Sequence, residues 1–336
     1  MPRLFAVLTT SLLACACALP GPALAAKKTY FRVGSAVDAT ATTTAGTVLM
    51  GGSTDVDAAF QWLCARAGGG DFLVVRAAGT DAYNPYVREL CPGLNSVATL
   101  IIGSAKAANV PSVRATIADA EVVWIAGGDQ SNYITGWTGT PVQQALNEHI
   151  AAGRPIGGTS AGLAVLTQFV YSALGSQGIT SAEALADPYN KYNTFARDFV
   201  FLAHTQGAIG DTHFSARDRM GRTISFLCRI HANGWSAQPR AIAVSEETAV
   251  LIDRGRWHGR RTPQCLLHRG AGRAGSLFTG PAFDVSQGRC PSCRRRRQLR
   301  RGGLEGQRWH HVHGHGRSRR AEFVAGGRQR LLGVRG

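Results

Sequence analysis

A serine becomes a useful nucleophile when the backbone presents its hydroxyl openly and a nearby base takes its proton. The stretch Gly157-Gly158-Thr159-Ser160-Ala161-Gly162 meets the first condition. It fits G-x-S-x-G, a sharp turn from strand to helix, with Pro155-Ile156 leading in and Leu163-Ala164-Val165-Leu166 leaving as a helix. Small residues on both sides of Ser160 let the chain turn tightly and leave room for a substrate carbonyl. For the second condition, residues 27–253 contain His149, His204, His213 and His231. Only His213 follows a strand-like segment, Ala208-Ile209-Gly210-Asp211, at a predicted helix start. His149 and His231 fall on predicted helices, where a solvated or core role suits them, and His204 is the second candidate for a base.

The elements that must position these groups alternate. Short apolar runs at 47–50, 71–76, 97–102 and 121–126 read as buried strands, and 56–67 and 141–152 read as helices. This pattern predicts an α/β fold: a doubly wound, mostly parallel sheet with helices on both faces. In such sheets the reactive crevice lies at the carboxyl ends of the strands. Ser160 and Gly127-Gly128-Asp129-Gln130 both stand at predicted strand ends. Residues 167–201 are more irregular, a polar and aromatic insertion suited to the border of a pocket. Arg217, Arg219 and Arg222 fall within two turns of a helix predicted to begin at His213, and 241–253 reads as a strand or hairpin around Glu246-Glu247.

Three blocks, Gly127-Gly128-Asp129-Gln130, Gly158-Thr159-Ser160-Ala161-Gly162 and His213-Phe-Ser-Ala-Arg-Asp-Arg-Met-Gly-Arg222, resemble in this order the signatures of cyanophycinases and their dipeptidase E relatives. These are serine peptidases on a class I glutamine-amidotransferase-like, flavodoxin-like fold, and the resemblance covers about 47–253. It implies that Ser160 is the nucleophile and His213 the base. Backbone N–H groups of Gly128 and Ala161 would form the oxyanion hole, with Asp129 and Gln130 lining the substrate pocket. The family's third member is an acidic residue between serine and histidine. The insertion leaves its position open here, with Glu183 favoured and Asp187 second. Ser245-Glu246-Glu247-Thr248-Ala249 also resembles the family's late acidic block, with Ser245 where that block usually has Asp. Arg217, Arg219 and Arg222 match family positions, and at least one is expected to hold a substrate carboxylate bidentately. Pairing with Asp218 or Asp211 is the competing role. The implied substrate is cyanophycin, a polyaspartate backbone carrying arginines on its β-carboxyls, which is cleaved to β-Asp-Arg dipeptides. Glu183 or another acid of the insertion would then meet the guanidinium. The alternatives are a dipeptidase E-like enzyme acting on small Asp-containing peptides and a catalytically silent binding protein of the same fold. No cofactor or metal is implied, and a homodimer is an expected assembly.

Composition narrows the partners. The chain has 336 residues and a formal charge of +16, yet residues 254–336 hold 20 of the 37 Lys+Arg and 3 of the 21 Asp+Glu. The remainder is close to neutral, so the main body has no electrostatic bias toward nucleic acid. Residues 1–26 read as an export signal: Arg3, a mostly apolar run, and Ala23-Leu24-Ala25 as a cleavage site. The apolar run is too short and too soon broken by Pro20 and Pro22 to span a membrane. Leu12-Leu13-Ala14-Cys15 resembles a lipobox, so lipidation of Cys15 is the alternative to a secreted or periplasmic protein. In an oxidising compartment Cys64 and Cys91 are expected to pair, separate buried thiols being the alternative, and Cys228 reads as core. Residues 27–46 read as a flexible lead-in and 47–253 as the peptidase-like domain. The tail from 254 lacks Lys, Ile, Asn, Tyr and Met and shows no helical or strand periodicity. It reads as a GC-rich gene translated out of frame and is not expected to pack a core. Its Cys290-Pro-Ser-Cys293 and later histidines superficially resemble a zinc site, without the hydrophobic positions of a finger.

Overall fold

The computed structural model describes residues 29–253 and 256–261. The expected export signal at 1–26, the Cys15 lipidation alternative, the Cys290–Cys293 pair and nearly all of the segment expected to be out of frame lie outside these residues. In chain order the elements are β1 (Thr29–Gly34), β2 (Thr47–Met50), α1 (Asp57–Cys64), β3 (Asp71–Arg76), α2 (Tyr83–Leu90), β4 (Ser96–Ile101), α3 (Ala105–Ala108), α4 (Pro111–Asp119) and β5 (Val122–Ile125). Then come α5 (Gln130–Trp137), α6 (Pro141–Ala151), β6 (Ile156–Thr159), α7 (Ala161–Val165), β7 (Phe169–Tyr171), α8 (Ser181–Ala186) and β8 (Phe195–Arg197). A 3-10 turn (Ala203–Thr205), β9 (Ala208–Asp211), α9 (Met220–Ala232), β10 (Arg240–Ala243), β11 (Thr248–Asp253) and β12 (Arg256–Arg261) complete the described chain.

Eight strands form the main sheet in the order β1-β4-β3-β5-β6-β2-β11-β12. Its centre, β4-β3-β5-β6-β2, is parallel, and the edges β1, β11 and β12 run antiparallel to their neighbours. The central strands read as continuous apolar runs because both faces are covered. Phe60, Leu63, Phe72 and Trp124 fill the α1–α2 side, and Leu73, Ile125, Tyr133, Trp137 and Leu146 fill the other. A smaller sheet, β10-β9-β7-β8, packs its own core of Phe169, Tyr171, Phe226 and Ile230 under α9. Cys64 at the end of α1 and Cys91 after α2 are joined by a disulfide with their Cα atoms 6.2 Å apart. Cys228 is buried and is in no disulfide among the described residues. Among the described residues, no helix is long and apolar enough to cross a membrane, and no group of His, Cys, Asp and Glu is placed to hold a metal ion.

Two boundaries differ from expectation. The lead-in at 27–46 is built into the fold: β1 pairs with β4, and Arg32 Nη2 reaches Asp71 Oδ1 at 3.0 Å. Thr44 N–H donates to Arg66 O at 3.0 Å, so even the Thr/Ala-rich stretch is tied down. Sparse hydrophobicity concealed this because an edge strand needs ladder partners more than a buried face. The segment expected to be wholly tail begins with β12, which pairs along the length of β11.

Candidate active site

Strand β6 reads Ile-Gly-Gly-Thr because its neighbours leave no room for side chains. A Cβ on Gly157 would lie 2.6 Å from the Trp124 ring, and one on Gly158 would lie 2.6 Å from the Gly162 carbonyl carbon. A Cβ on Gly162 would meet Ile125 O at 2.0 Å, so α7 sits directly against the strands. The turn between β6 and α7 forces Ser160 to φ 51°, ψ −114°, a sparsely populated conformation that costs about 1–3 kcal/mol. The Ser160 N–H to Met50 O bond of 3.0 Å and the Ala164 N–H to Ser160 O bond of 3.1 Å hold it there. This is the geometry of a nucleophile elbow.

Ser160 Oγ lies 2.8 Å from His213 Nε2, and His213 Nδ1 lies 2.5 Å from Glu246 Oε1. A neutral imidazole with its proton on Nδ1 donates to Glu246 and accepts from Ser160, the tautomer a general base requires. The His213 side chain is 9% exposed and that of Glu246 31%. Burial holds the imidazole below its ordinary pKa, the bond to Glu246 opposes this, and the charges of Arg217 and Arg219 reinforce it. The ring is therefore neutral and able to take a proton at pH 7. Strand β2 frames the pair from the other side. His213 N–H donates to Gly51 O at 2.9 Å, and Glu247 N–H donates to Gly52 O at 3.0 Å. Gly52 has φ 100°, and a Cβ there would lie 2.5 Å from His213 Cε1 and Nε2. One loop thus aligns both partners of Ser160.

Glu183 and Asp187, the acids expected at His213, are placed elsewhere. Glu183 is the N3 residue of α8, and its Oε2 accepts from Thr180 N and Oγ1 at 2.9 and 2.8 Å. Those bonds hold its carboxyl below its ordinary pKa. Asp187 ends α8 and accepts from Tyr189 N–H at 2.9 Å. Thr180-x-x-Glu183 is a capping box, and such a helix-start signal competes with any functional reading of its acid. Glu246 carries the contact instead. The resemblance of residues 245–249 to a late acidic block was the available signal.

The expected helix starting at His213 does not form. His213 and Asp218 have φ of 47° and 46°, so residues 213–219 make turns and α9 starts at Met220. The three arginines consequently differ. Arg222, 5% exposed, grips Asp211 with Nε and Nη2, and Asp211 is itself 2% exposed. Arg219 donates to Thr212 O at 2.8 Å and stands 3.5 Å from Asp211, with burial and then Arg222 lowering its pKa to about 10. Arg217 is exposed; its N–H donates to His213 O at 3.0 Å, and its side chain makes no hydrogen bond or ion pair among the described residues. It is the arginine best placed to receive a substrate anion.

A cavity of about 280 Å³ opens at Ser160 and His213 and is bordered by Gly128, Gln130, Arg217 and Arg219. Residues 175–178 of the insertion form its far wall. Gly128 has φ 145°, and Ala161 is the first residue of α7, where an N–H has no partner within the helix. Asp129 caps α5 through Ser131 N–H at 2.8 Å, and Gln130 Nε2 donates to Tyr171 O at 3.1 Å. His149 is core: its Nε2 meets Pro155 O at 3.0 Å, and burial lowers its pKa to about 4. Burial also lowers His204 to about 4, in the 3-10 turn.

Residues 47–186 match the sequence model of Peptidase family S51. The match includes Ser160 and ends before His213. The chain is 28% identical over 168 residues to a cyanophycinase of Trichormus variabilis, covering 49% of this chain and 50% of that one. It is 27% identical over 205 residues to a cyanophycinase of Synechococcus elongatus, covering 56% of each. The chain thus spans about half the length of the curated relatives it matches. It is similar in fold to a peptidase from an acI-B1 Actinobacterium, with TM-score 0.47, 15% identity and coverage of 66% of this chain and 89% of that one. A second solved structure, a putative peptidase E protein of Listeria monocytogenes EGD-e, has TM-score 0.42, 16% identity and coverage of 65% and 98%. The sequence matches make residues 47–186, with Ser160 among them, similar to Peptidase family S51 and to cyanophycinases.

Proposed function

We propose that this chain is an exported serine-type peptidase that hydrolyses cyanophycin to β-Asp-Arg dipeptides. The observation that carries the reading is the Ser160–His213–Glu246 line facing a cavity that holds Arg217. Ser160 Oγ attacks the scissile carbonyl while His213 Nε2 takes the hydroxyl proton, and Glu246 supports the imidazolium that forms. The negative charge on the former carbonyl oxygen faces the N–H groups of Gly128 and Ala161. The intermediate collapses, His213 gives its proton to the leaving amine, and an acyl-enzyme remains. Water, deprotonated by His213, releases the acid and restores Ser160. Arg217, with Arg219 behind it, receives a carboxylate of the substrate. Export is supported by the signal-like residues 1–26 and by the Cys64–Cys91 disulfide, a bond that persists in oxidising compartments.

A dipeptidase E-like reading, in which small Asp-containing peptides are the substrates, is favoured by the size of the cavity, which is below the usual range for a whole ligand. Incubating the full chain with cyanophycin and, in parallel, with aspartyl dipeptides separates the two. Release of β-Asp-Arg from the polymer supports the first, and turnover of dipeptides alone supports the second. Failure of a serine-directed covalent probe to label Ser160 defeats both and leaves a silent binding protein.

A further inference from the structure

Two walls of the Ser160 cavity come from segments far apart in the chain: residues 175–178 of the insertion, and the turn 213–219 that carries Arg217. A serine outside the residues that border the cavity ties the second to the first. Ser181, the first residue of α8, donates its hydroxyl to Asp218 O and accepts from Arg222 N–H at 3.2 Å.

The turn cannot supply these contacts for itself. Asp218 follows Arg217 and has φ 46°, a left-handed conformation that is strained for a residue with a side chain and persists where surrounding contacts hold it. The bonds within the turn run from the N–H groups of Arg217, Asp218 and Arg219 to the carbonyls of His213, Ser215 and Phe214, which leaves the Asp218 carbonyl to Ser181. Arg222 lies in the first turn of α9, where an N–H has no partner within the helix, and Arg219 at the N-cap contributes no side-chain bond. The cap comes from α8 instead. Gly221 makes this approach possible, since a Cβ there would lie 2.8 Å from Ser181 Cβ and from Leu185 Cδ1.

On the other side the insertion is tied down just before Ser181. Ile179 N–H donates to Tyr171 Oη at 2.9 Å, and Ile179 O accepts from Arg222 Nη1 at 3.4 Å. Thr180 then caps α8. The span between the far wall of the cavity and the arginine turn is therefore set by the Ser181 contact.

We infer that Ser181 is a positioning residue of the peptidase site: by holding the Asp218 carbonyl and the first turn of α9, it fixes Arg217 at the cavity border. The assignment rests on the peptidase reading, in which Arg217 receives a substrate carboxylate. Without Ser181 the turn loosens, and substrate binding must itself order Arg217. His213 faces Glu246 from the segment between β10 and β11, and Arg217 and Arg219 from the turn. A loosened Arg217 also withdraws part of the positive charge that holds the imidazole below its ordinary pKa.

Steady-state kinetics of the full chain on the substrate it turns over, cyanophycin or an aspartyl dipeptide, together with an NMR titration of His213, tests this. Ser181→Ala is expected to raise KM about fivefold, the worth of one hydrogen bond, with kcat within about twofold of wild type. In an Arg217→Met background the same change is expected to add less than about twofold, because the residue it acts through is gone. The His213 pKa is expected to rise in Ser181→Ala. Glu183→Gln, which weakens the cap of the same helix, is expected to lower Tm and leave KM and the titration unchanged. The inference is overturned if Ser181→Ala lowers Tm but leaves KM and the titration as in wild type, if its effect adds in full to that of Arg217→Met, or if Glu183→Gln raises KM as much. If the wild type cleaves neither substrate, the peptidase reading falls and the titration alone decides. An upward shift in Ser181→Ala then supports the positioning contact, and an unmoved His213 overturns it.

Discussion

Two cavities of similar size lie beside the loops that leave the parallel strands, and they are opposite in charge. The one at Ser160 is bordered by Arg217, Arg219 and Arg222. The one at Asp55 is bordered by two carboxylates and two phenols. Arg222, which also lines the Ser160 cavity, grips the buried carboxylate of Asp211.

Substitutions sharpen this contrast because they should change chemistry in one cavity and only stability in the other. Ser160→Ala should remove the acyl-enzyme route and lower kcat by about 10⁴-fold or more, measured by single-turnover release of product. Glu246→Gln should lower kcat by about 10³–10⁴-fold, because the imidazole loses its orienting acceptor. It should also move the acid limb of the pH profile to lower pH, since the bond to Glu246 raises the His213 pKa and its loss lets burial dominate. Glu183→Gln, the control, should leave kcat and the pH limb unchanged and lower Tm slightly through the cap of α8. If Glu183→Gln slows catalysis and Glu246→Gln does not, the assignment of the acid is reversed.

Arg217→Met should raise KM about tenfold or more, the worth of a charge-assisted contact, with a smaller change in kcat. Because the Arg217 charge lowers the His213 pKa, its removal should move the acid limb to higher pH. The smallest effect belongs to the acidic cavity. A raised folded-state pKa at Asp55 means that stability present below pH 4 is lost as pH rises through about 6. Asp55→Asn removes that loss, so the variant should be about 1–3 kcal/mol more stable than wild type at pH 7.5 and equal to it below pH 4. Denaturant midpoints at the two pH values check this.

Much of this molecule was legible one segment at a time. The alternation of buried runs and helices announced the parallel sheet, and the packing of β6 explains why the elbow pattern was so clear. Three glycines within six residues are demanded by Trp124, Gly162 and Ile125 pressing on the turn, so the steric need is written in consecutive positions. His213 was legible for a similar reason, standing directly after β9. The third member was not. Glu183 looked attractive because it lay between serine and histidine in an insertion beside the pocket, yet its carboxylate is satisfied three residues away. Glu246 follows His213 by 33 residues and reaches it because β11 pairs with β2 and sets Glu247 on Gly52. The arginines divide along the same line: their spacing suggested one helical face, and two positive φ values split them into a buried ion pair and a cavity border.

The amino-acid order by itself determined the elbow, its serine and the imidazole near it, because those depend on local backbone sterics and on the end of a strand. Only the tertiary structure decided which acid serves His213, which arginine is free, and that a cavity of opposite charge lies beside the first. Each of those depends on which loops strand pairing brings together, and strand pairing joins residues far apart in the chain.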